Sequence, residues 1–232
     1  MSNILSAKHI SKNYGQTHAL RSINLDIAEG KIVGLLGPNG SGKTTLIKII
    51  NGLLLDYDGE LTICEHKPGM ESKSIVSYLP DREILPGWMK VSQAVDMYAD
   101  FYKDFDKVRA FNMLRTLNVD DKKRVRQLSK GMREKLHLTL VMSRRARLYI
   151  LDEPIAGVDP AAREVILNTI LTNFNEGSSI LLSTHLVSDV ESVFDEVIFL
   201  KEGAIVLHDS VDAVREKENK SLDELFREVF RC

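Results

Sequence analysis

Two short stretches of this 232-residue chain hold residue types whose spacing points to phosphate chemistry. The first is GPNGSGKT at 37–44, a G-x-x-x-x-G-K-[ST] pattern between the apolar run IVGLL at 32–36 and a helix-like TLIKIINGL. Glycines let successive backbone amides turn inward around a phosphate, and the start of the next helix adds partial positive charge. Gly37, Pro38, Asn39, Gly40, Ser41 and Gly42 would form that cradle, and Thr45 belongs to the same nucleotide-binding set. Lys43 would reach the β- and γ-phosphates, while the Thr44 hydroxyl would ligate Mg²⁺. The second stretch is LYILDEP at 148–154, where a buried strand ends in two carboxylates. The carboxyl edge of such a strand is where α/β proteins keep their ligands. Asp152 would hold the metal, directly or through water, and Glu153 would take a proton from an attacking water or orient it. Paired acids after a strand could instead begin a surface turn. Beside a phosphate cradle they imply binding of a nucleoside triphosphate with Mg²⁺, with Lys43 and Glu153 as catalytic candidates.

The elements that must position these residues change along the chain. LRSINLDI at 20–27 alternates like a half-buried strand, Asp58-Gly59 reads as a hairpin turn, and SIVSYL at 74–79 reads as another strand. Between 88 and 127 the apolar residues recur at helical spacing, as in Val91, Ala94, Val95, Tyr98 and Phe101. This region reads as an insertion, about 82–135, between a strand-rich start and a later α/β part. LYIL at 148–151, SILLS at 179–183 and VIFL at 197–200 are buried-strand candidates, and Pro160 opens a helix over 160–174. A tail over about 211–232 ends in SLDELFREVF, with a Ser221/Glu224 capping box and one apolar face. It reads as a helix packed on its own domain, with membrane-surface binding as the lesser alternative.

The whole-chain balance narrows the function classes. With 31 Lys and Arg against 33 Asp and Glu, the chain has no global basic field, which weighs against nucleic acid as a partner. The basic run DDKKRVRQLSKGMREK reads as a solvated helix face near a phosphate site. No stretch approaches 18 consecutive apolar residues, and the start lacks a secretory pattern, so a cytoplasmic protein is expected. Cys64 and Cys232 are too few and too far apart for a disulfide scaffold or a zinc site.

Three further segments make the order of motifs specific: LSKGM at 128–132, AGVD at 156–159 and STHL at 183–186. With the cradle and the acidic strand, they resemble the ATP-binding subunit of ABC transporters over nearly the whole chain. The resemblance implies one α/β domain over 1–232, a P-loop NTPase core with an antiparallel β-subdomain and an inserted helical subdomain. It also implies a head-to-tail dimer enclosing two ATP molecules, in which Ser129 and Gly131 contact the γ-phosphate held by the other subunit. Ser129 is itself a plausible helix N-cap. By the same resemblance Tyr14 stacks on adenine, His185 senses the γ-phosphate beside Glu153, and Asp159 communicates across the dimer.

The chain departs from the family pattern at several positions. Asp81 stands where Gln is usual and would take up a metal-bound water while adding negative charge near the phosphates. Lys130 replaces a glycine of the signature, for phosphate neutralisation or merely facing solvent, and Met132 replaces its glutamine. Ile155 and Ala156 replace the commoner Thr and Asn. Lys43, Asp152, Glu153 and His185 all remain, so the chain is expected to hydrolyse ATP and drive a separate membrane permease from the cytoplasmic face. LSKGM and Gly-Val-Asp-Pro look more like exporters of the ABC-2 type than importers. The alternative is a soluble ABC-type ATPase doing mechanical or regulatory work without a permease.

Overall fold

The computed structural model describes residues 2–231, without the side chain of Ala161, so Cys232 lies outside the described residues. A long antiparallel hairpin opens the chain: β1 (Asn3–Tyr14) and β2 (Thr17–Ala28) turn at residues 15–16. Leu20, Ile23, Leu25 and Ile27 are buried, within a longer strand than 20–27. β1 has no clean period of two because its ladder with β2 shifts register between Ala7 and Ile10 and between Ile10 and Lys12.

β3 (Ile32–Leu36) leads to α1 (Lys43–Ile50). Asp58-Gly59 is not a hairpin turn: the two residues open β4 (Asp58–Ile63), which pairs antiparallel with β1 through Ser11–Asp58 and Lys8–Glu60. A distant partner strand absorbs them at an irregularity of the ladder, so tertiary pairing overrides turn composition. Ser74 and Ile75 likewise end α2 (Met70–Ile75), and β5 is only Val76–Leu79. The Ser72 hydroxyl accepts from the Gly69 N–H and starts that helix one turn ahead of the strand.

The middle of the chain forms α3 (Val91–Phe101), α4 (Lys107–Thr116) and α5 (Lys130–Met142). Val91, Ala94 and Val95 are fully buried, as their spacing requires, but 117–124 is loop followed by a single 3₁₀ turn. Then come β6 (Leu148–Asp152), α6 (Pro160–Asn173), β7 (Ser179–Thr184), β8 (Glu196–Lys201), β9 (Ala204–Ser210), α7 (Val211–Glu218) and α8 (Leu222–Val229).

Two sheets result. One is antiparallel, ordered β2-β1-β4; the other is ordered β5-β6-β7-β3-β8-β9 and is parallel except for β9. Three apolar clusters hold them. One joins the large sheet to α6, α7 and α8, where Phe226 and Phe230 pack on buried Phe199 with ring centroids 5.7 and 5.6 Å apart. The tail thus buries its apolar face on its own chain, each phenyl contributing about 1.5–3 kcal/mol when fully covered. The second places α1 between the two sheets, and the third gathers α3, α4 and part of α5. The expected α/β architecture is present, with both the antiparallel sheet and the helical cluster. Among the described residues no helix is long and apolar enough to cross a membrane.

Candidate active site

Strand order decides which residues meet. β7 lies between β6 and β3, so the carboxyl ends of three adjacent parallel strands deliver Glu153, His185 and the 37–44 loop to one edge. In that loop Gly42 caps α1 at φ 110°, and a Cβ there would lie 2.6 Å from the Ala19 carbonyl, so only glycine fits. Lys43 is buried; its ammonium donates to the carbonyls of Gly37 at 2.7 Å and Pro38 at 3.2 Å. It also lies 3.4 Å from Glu153 Oε1.

Asp152 is 1% exposed and pairs in register with Ser183 of β7. The Ser183 hydroxyl donates to Asp152 Oδ1 at 2.6 Å, while Oδ2 has no hydrogen-bond partner among the described residues. Burial pushes the Asp152 carboxyl above its ordinary range, against the Ser183 and Thr44 hydroxyls that lower it; the Asp81 charge adds to the rise. A buried carboxylate oxygen without a partner, near a threonine hydroxyl, fits Mg²⁺, which takes one or two carboxylates and completes its shell elsewhere. No cluster of three or more His, Cys, Asp or Glu suited to a metal occurs among the described residues.

Glu153 leaves the strand in the left-handed region, at φ 52°. Its N–H is held by the Ser183 carbonyl at 3.1 Å and the Ser183 hydroxyl at 3.0 Å. This backbone conformation costs on the order of 1 kcal/mol in a non-glycine residue and aims the side chain into the cleft. Glu153 Oε2 lies 3.0 Å from His185 Nδ1, so the carboxylate sits between imidazole and ammonium. Such a carboxylate can accept a proton from, or orient, a water brought alongside it.

The remaining expected site residues fall into two groups. Tyr14, Asn39, Gly40, Gly42, Lys43, Thr44, Thr45, Asp81 and Glu153 line one cleft of ≈ 480 Å³. The Tyr14 ring is half exposed, with the Lys12 ammonium 5.2 Å from the ring centre. Pro38 supplies a carbonyl to Lys43, and Ser41 is buried, its hydroxyl without a partner among the described residues. Asp81, exposed at a bend after β5, also lines a second cavity of ≈ 470 Å³ with Asp152, Glu153, His185, Lys130, Glu134 and His137. Ser129 caps α5 by accepting from the Met132 N–H at 3.3 Å, with Gly131 in the first turn. Neither lines the cleft that holds Tyr14 and the 37–44 loop. Asp159 caps α6 through the Ala162 N–H at 3.0 Å.

Several departures acquire a physical reason. Ile155 is fully buried in the large core and Met132 packs on the helical cluster, so both serve packing. Lys130 donates to the Gly157 carbonyl at 3.2 Å. In the basic run, Arg133 is engaged by Glu83 at 2.6 Å. Sequence reasoning missed Ser183 and Arg163. Arg163 donates to the Val158 carbonyl at 2.8 Å and pairs with Asp189 at 2.7 Å. STHL marked Ser183, but its role depends on β6 and β7 being neighbours.

Comparison with known proteins agrees with this geometry. Residues 20–156 match the family described as ABC transporter. The chain is 35% identical over 231 residues to the ABC transporter ATP-binding protein YdbJ of Bacillus subtilis (strain 168), covering 96% of this chain and 74% of that protein. It is 30% identical over 209 residues to the SkfA peptide export ATP-binding protein SkfE of the same organism, covering 88% and 87%. A solved ATP-binding subunit of an ABC transporter superposes with a TM-score of 0.88 at 28% identity, covering 98% of this chain and all of that one.

Proposed function

Because this chain belongs to the ABC transporter ATP-binding family, we propose that it hydrolyses ATP as a head-to-tail dimer and powers export through a separate membrane permease. An ATP-binding ATPase subunit is what family membership gives. The observation that carries the hydrolytic reading is the Glu153 carboxylate held between His185 Nδ1 and the Lys43 ammonium.

In this mechanism Tyr14 stacks on the adenine and the 37–44 amides cradle the phosphates, with Lys43 on the β- and γ-oxygens. Thr44 and Asp152 would hold Mg²⁺, with Asp81 near it; when bound, the ion neutralises charge on the phosphate oxygens. Glu153 orients a water for in-line attack on the γ-phosphorus and takes up its proton, while His185 keeps the carboxylate aimed and bonds the γ-phosphate. Ser129 and Gly131 do not line the cleft of Tyr14 and the 37–44 loop, and in this reading they serve a second copy's nucleotide. The start of α5 would then direct its amides at that phosphate, and Asp159 would lie on the shared face.

The permease reading rests on a groove of ≈ 330 Å³ whose lining includes Leu53, Ile84, Tyr98, Tyr102 and Arg144. Trp88 is exposed nearby in sequence, and Asp81 belongs to both this groove and the nucleotide cleft. A permease segment seated there would touch the loop that lines the reacting centre, on the cytoplasmic face of a membrane. The peptide-export relative supports the outward direction.

Glu153→Gln tests the core of this reading. Steady-state hydrolysis is expected to fall at least about 100-fold, the scale of a lost general base, while ATP still brings two copies together in sedimentation. A parent protein that does not hydrolyse ATP, or a variant that keeps its rate, overturns it.

A further inference from the structure

Residues 153–159 join the reacting carboxylate to α6, and the backbone of this loop is held from outside by two cations. Arg163 of α6 donates to the Val158 carbonyl at 2.8 Å and pairs with Asp189, in the turn that follows His185. Lys130, in the first turn of α5, donates to the Gly157 carbonyl at 3.2 Å. Glu134, one turn along α5, lies 3.9 Å from the same ammonium. The fit around Gly157 is close: its φ is 70°, and a Cβ there would lie 2.5 Å from Lys130 Nζ. Inside the loop the bonds are local, Ala156 N–H to the Glu153 carbonyl at 3.1 Å and Val158 N–H to the Ile155 carbonyl at 3.4 Å. Lys130 therefore fastens the loop beside the ≈ 470 Å³ cavity that it lines together with Asp152, Glu153 and His185.

We infer that Lys130 is a positioning residue for hydrolysis. Its ammonium ties the Gly157 carbonyl to the start of α5, fixes the path of the loop, and so holds the Glu153 backbone, whose carbonyl accepts from Ala156. The inference rests on the hydrolytic reading for its kinetic part only. Lys130 acts through the loop and not on the phosphates, so the tether governs turnover and leaves ATP affinity alone. A glycine at 130, the residue usual in the family, has no atom to make the tether.

The test is Lys130→Ala beside Lys130→Arg, which keeps a long cationic donor. In Lys130→Ala, hydrogen exchange at the Ala156 and Val158 amides is expected to rise about fivefold, with residues 136–142 of α5 exchanging as in the parent. The kcat for ATP falls about fivefold at unchanged KM, the scale of losing one exposed charge-assisted hydrogen bond. Lys130→Arg restores both values to within about twofold of the parent. Unchanged exchange, or a loosened loop with unchanged kcat, overturns the inference. So does a raised KM with kcat preserved, which would put the ammonium on the nucleotide. A parent without ATPase activity overturns the hydrolytic reading instead; the exchange measurement, which needs no turnover, then supports or overturns the tether by itself.

Discussion

Removing one hydroxyl, in Ser183→Ala, probes the acidic edge most directly. Ser183 is fully buried, donates to Asp152 Oδ1 at 2.6 Å and accepts from the Glu153 N–H at 3.0 Å. The Glu153 N–H keeps the Ser183 carbonyl at 3.1 Å after the substitution, so the loss falls mainly on Asp152, whose other oxygen already lacks a partner among the described residues. A hydrogen bond to a buried charged group is worth about 1.5–3 kcal/mol. For a chain of this size, at about 2–4 °C per kcal/mol, that corresponds to a fall of roughly 3–12 °C in melting temperature. The sign with pH follows from Asp152, whose native pKa already lies above its ordinary value because of burial. Between that ordinary value and the raised native one, the folded chain holds a proton that the unfolded chain releases, so stability is lost as pH rises through the native pKa. The Ser183 hydroxyl opposes that rise, and without it the native pKa climbs further. The cost of Ser183→Ala should therefore be largest at alkaline pH and shrink as pH falls through the raised value. Urea unfolding at pH 8 and pH 5 measures both quantities. An unchanged midpoint at pH 8, or a larger loss at pH 5, would refute this account of the acidic edge.

Two other positions give independent checks. Arg144 is 2% exposed, donates to the carbonyls of Val76 at 2.5 Å and Ser74 at 2.8 Å, and pairs with Asp104 at 3.1 Å. Arg144→Ala strands those groups and is expected to cost about 3–5 kcal/mol in denaturant unfolding; Arg144→Lys, lacking the planar fork, should recover only part of it. Tyr14→Ala removes a half-exposed ring from the lining of the cleft. Stability should barely change, whereas KM for ATP should rise about tenfold from lost base stacking, and Tyr14→Trp should restore it.

Local chemistry was legible because it is written locally. The strand, cradle and helix of 32–50, the strand ending in Asp152 and Glu153, and the tail cap at Ser221 each depend on neighbours a few residues apart. Strand β1 and the pairing of Asp58-Gly59 were not legible, because bulges erase the alternation and the partner strands are remote. Lys130 shows the same limit at a single residue: the sequence marks it as a departure, and only the fold brings it to Gly157.

The sequence by itself determined which candidate residues are present: a glycine-rich loop with Lys43, two adjacent carboxylates at Asp152 and Glu153, and a histidine at 185, in that chain order. Tertiary structure decided that they meet. Parallel strands pair through crossovers, and neither composition nor periodicity states which strand lies beside which. By inserting β7 between β3 and β6, the fold sets Ser183 against Asp152 and places His185 within hydrogen-bonding distance of Glu153, with Lys43 on the carboxylate's other oxygen.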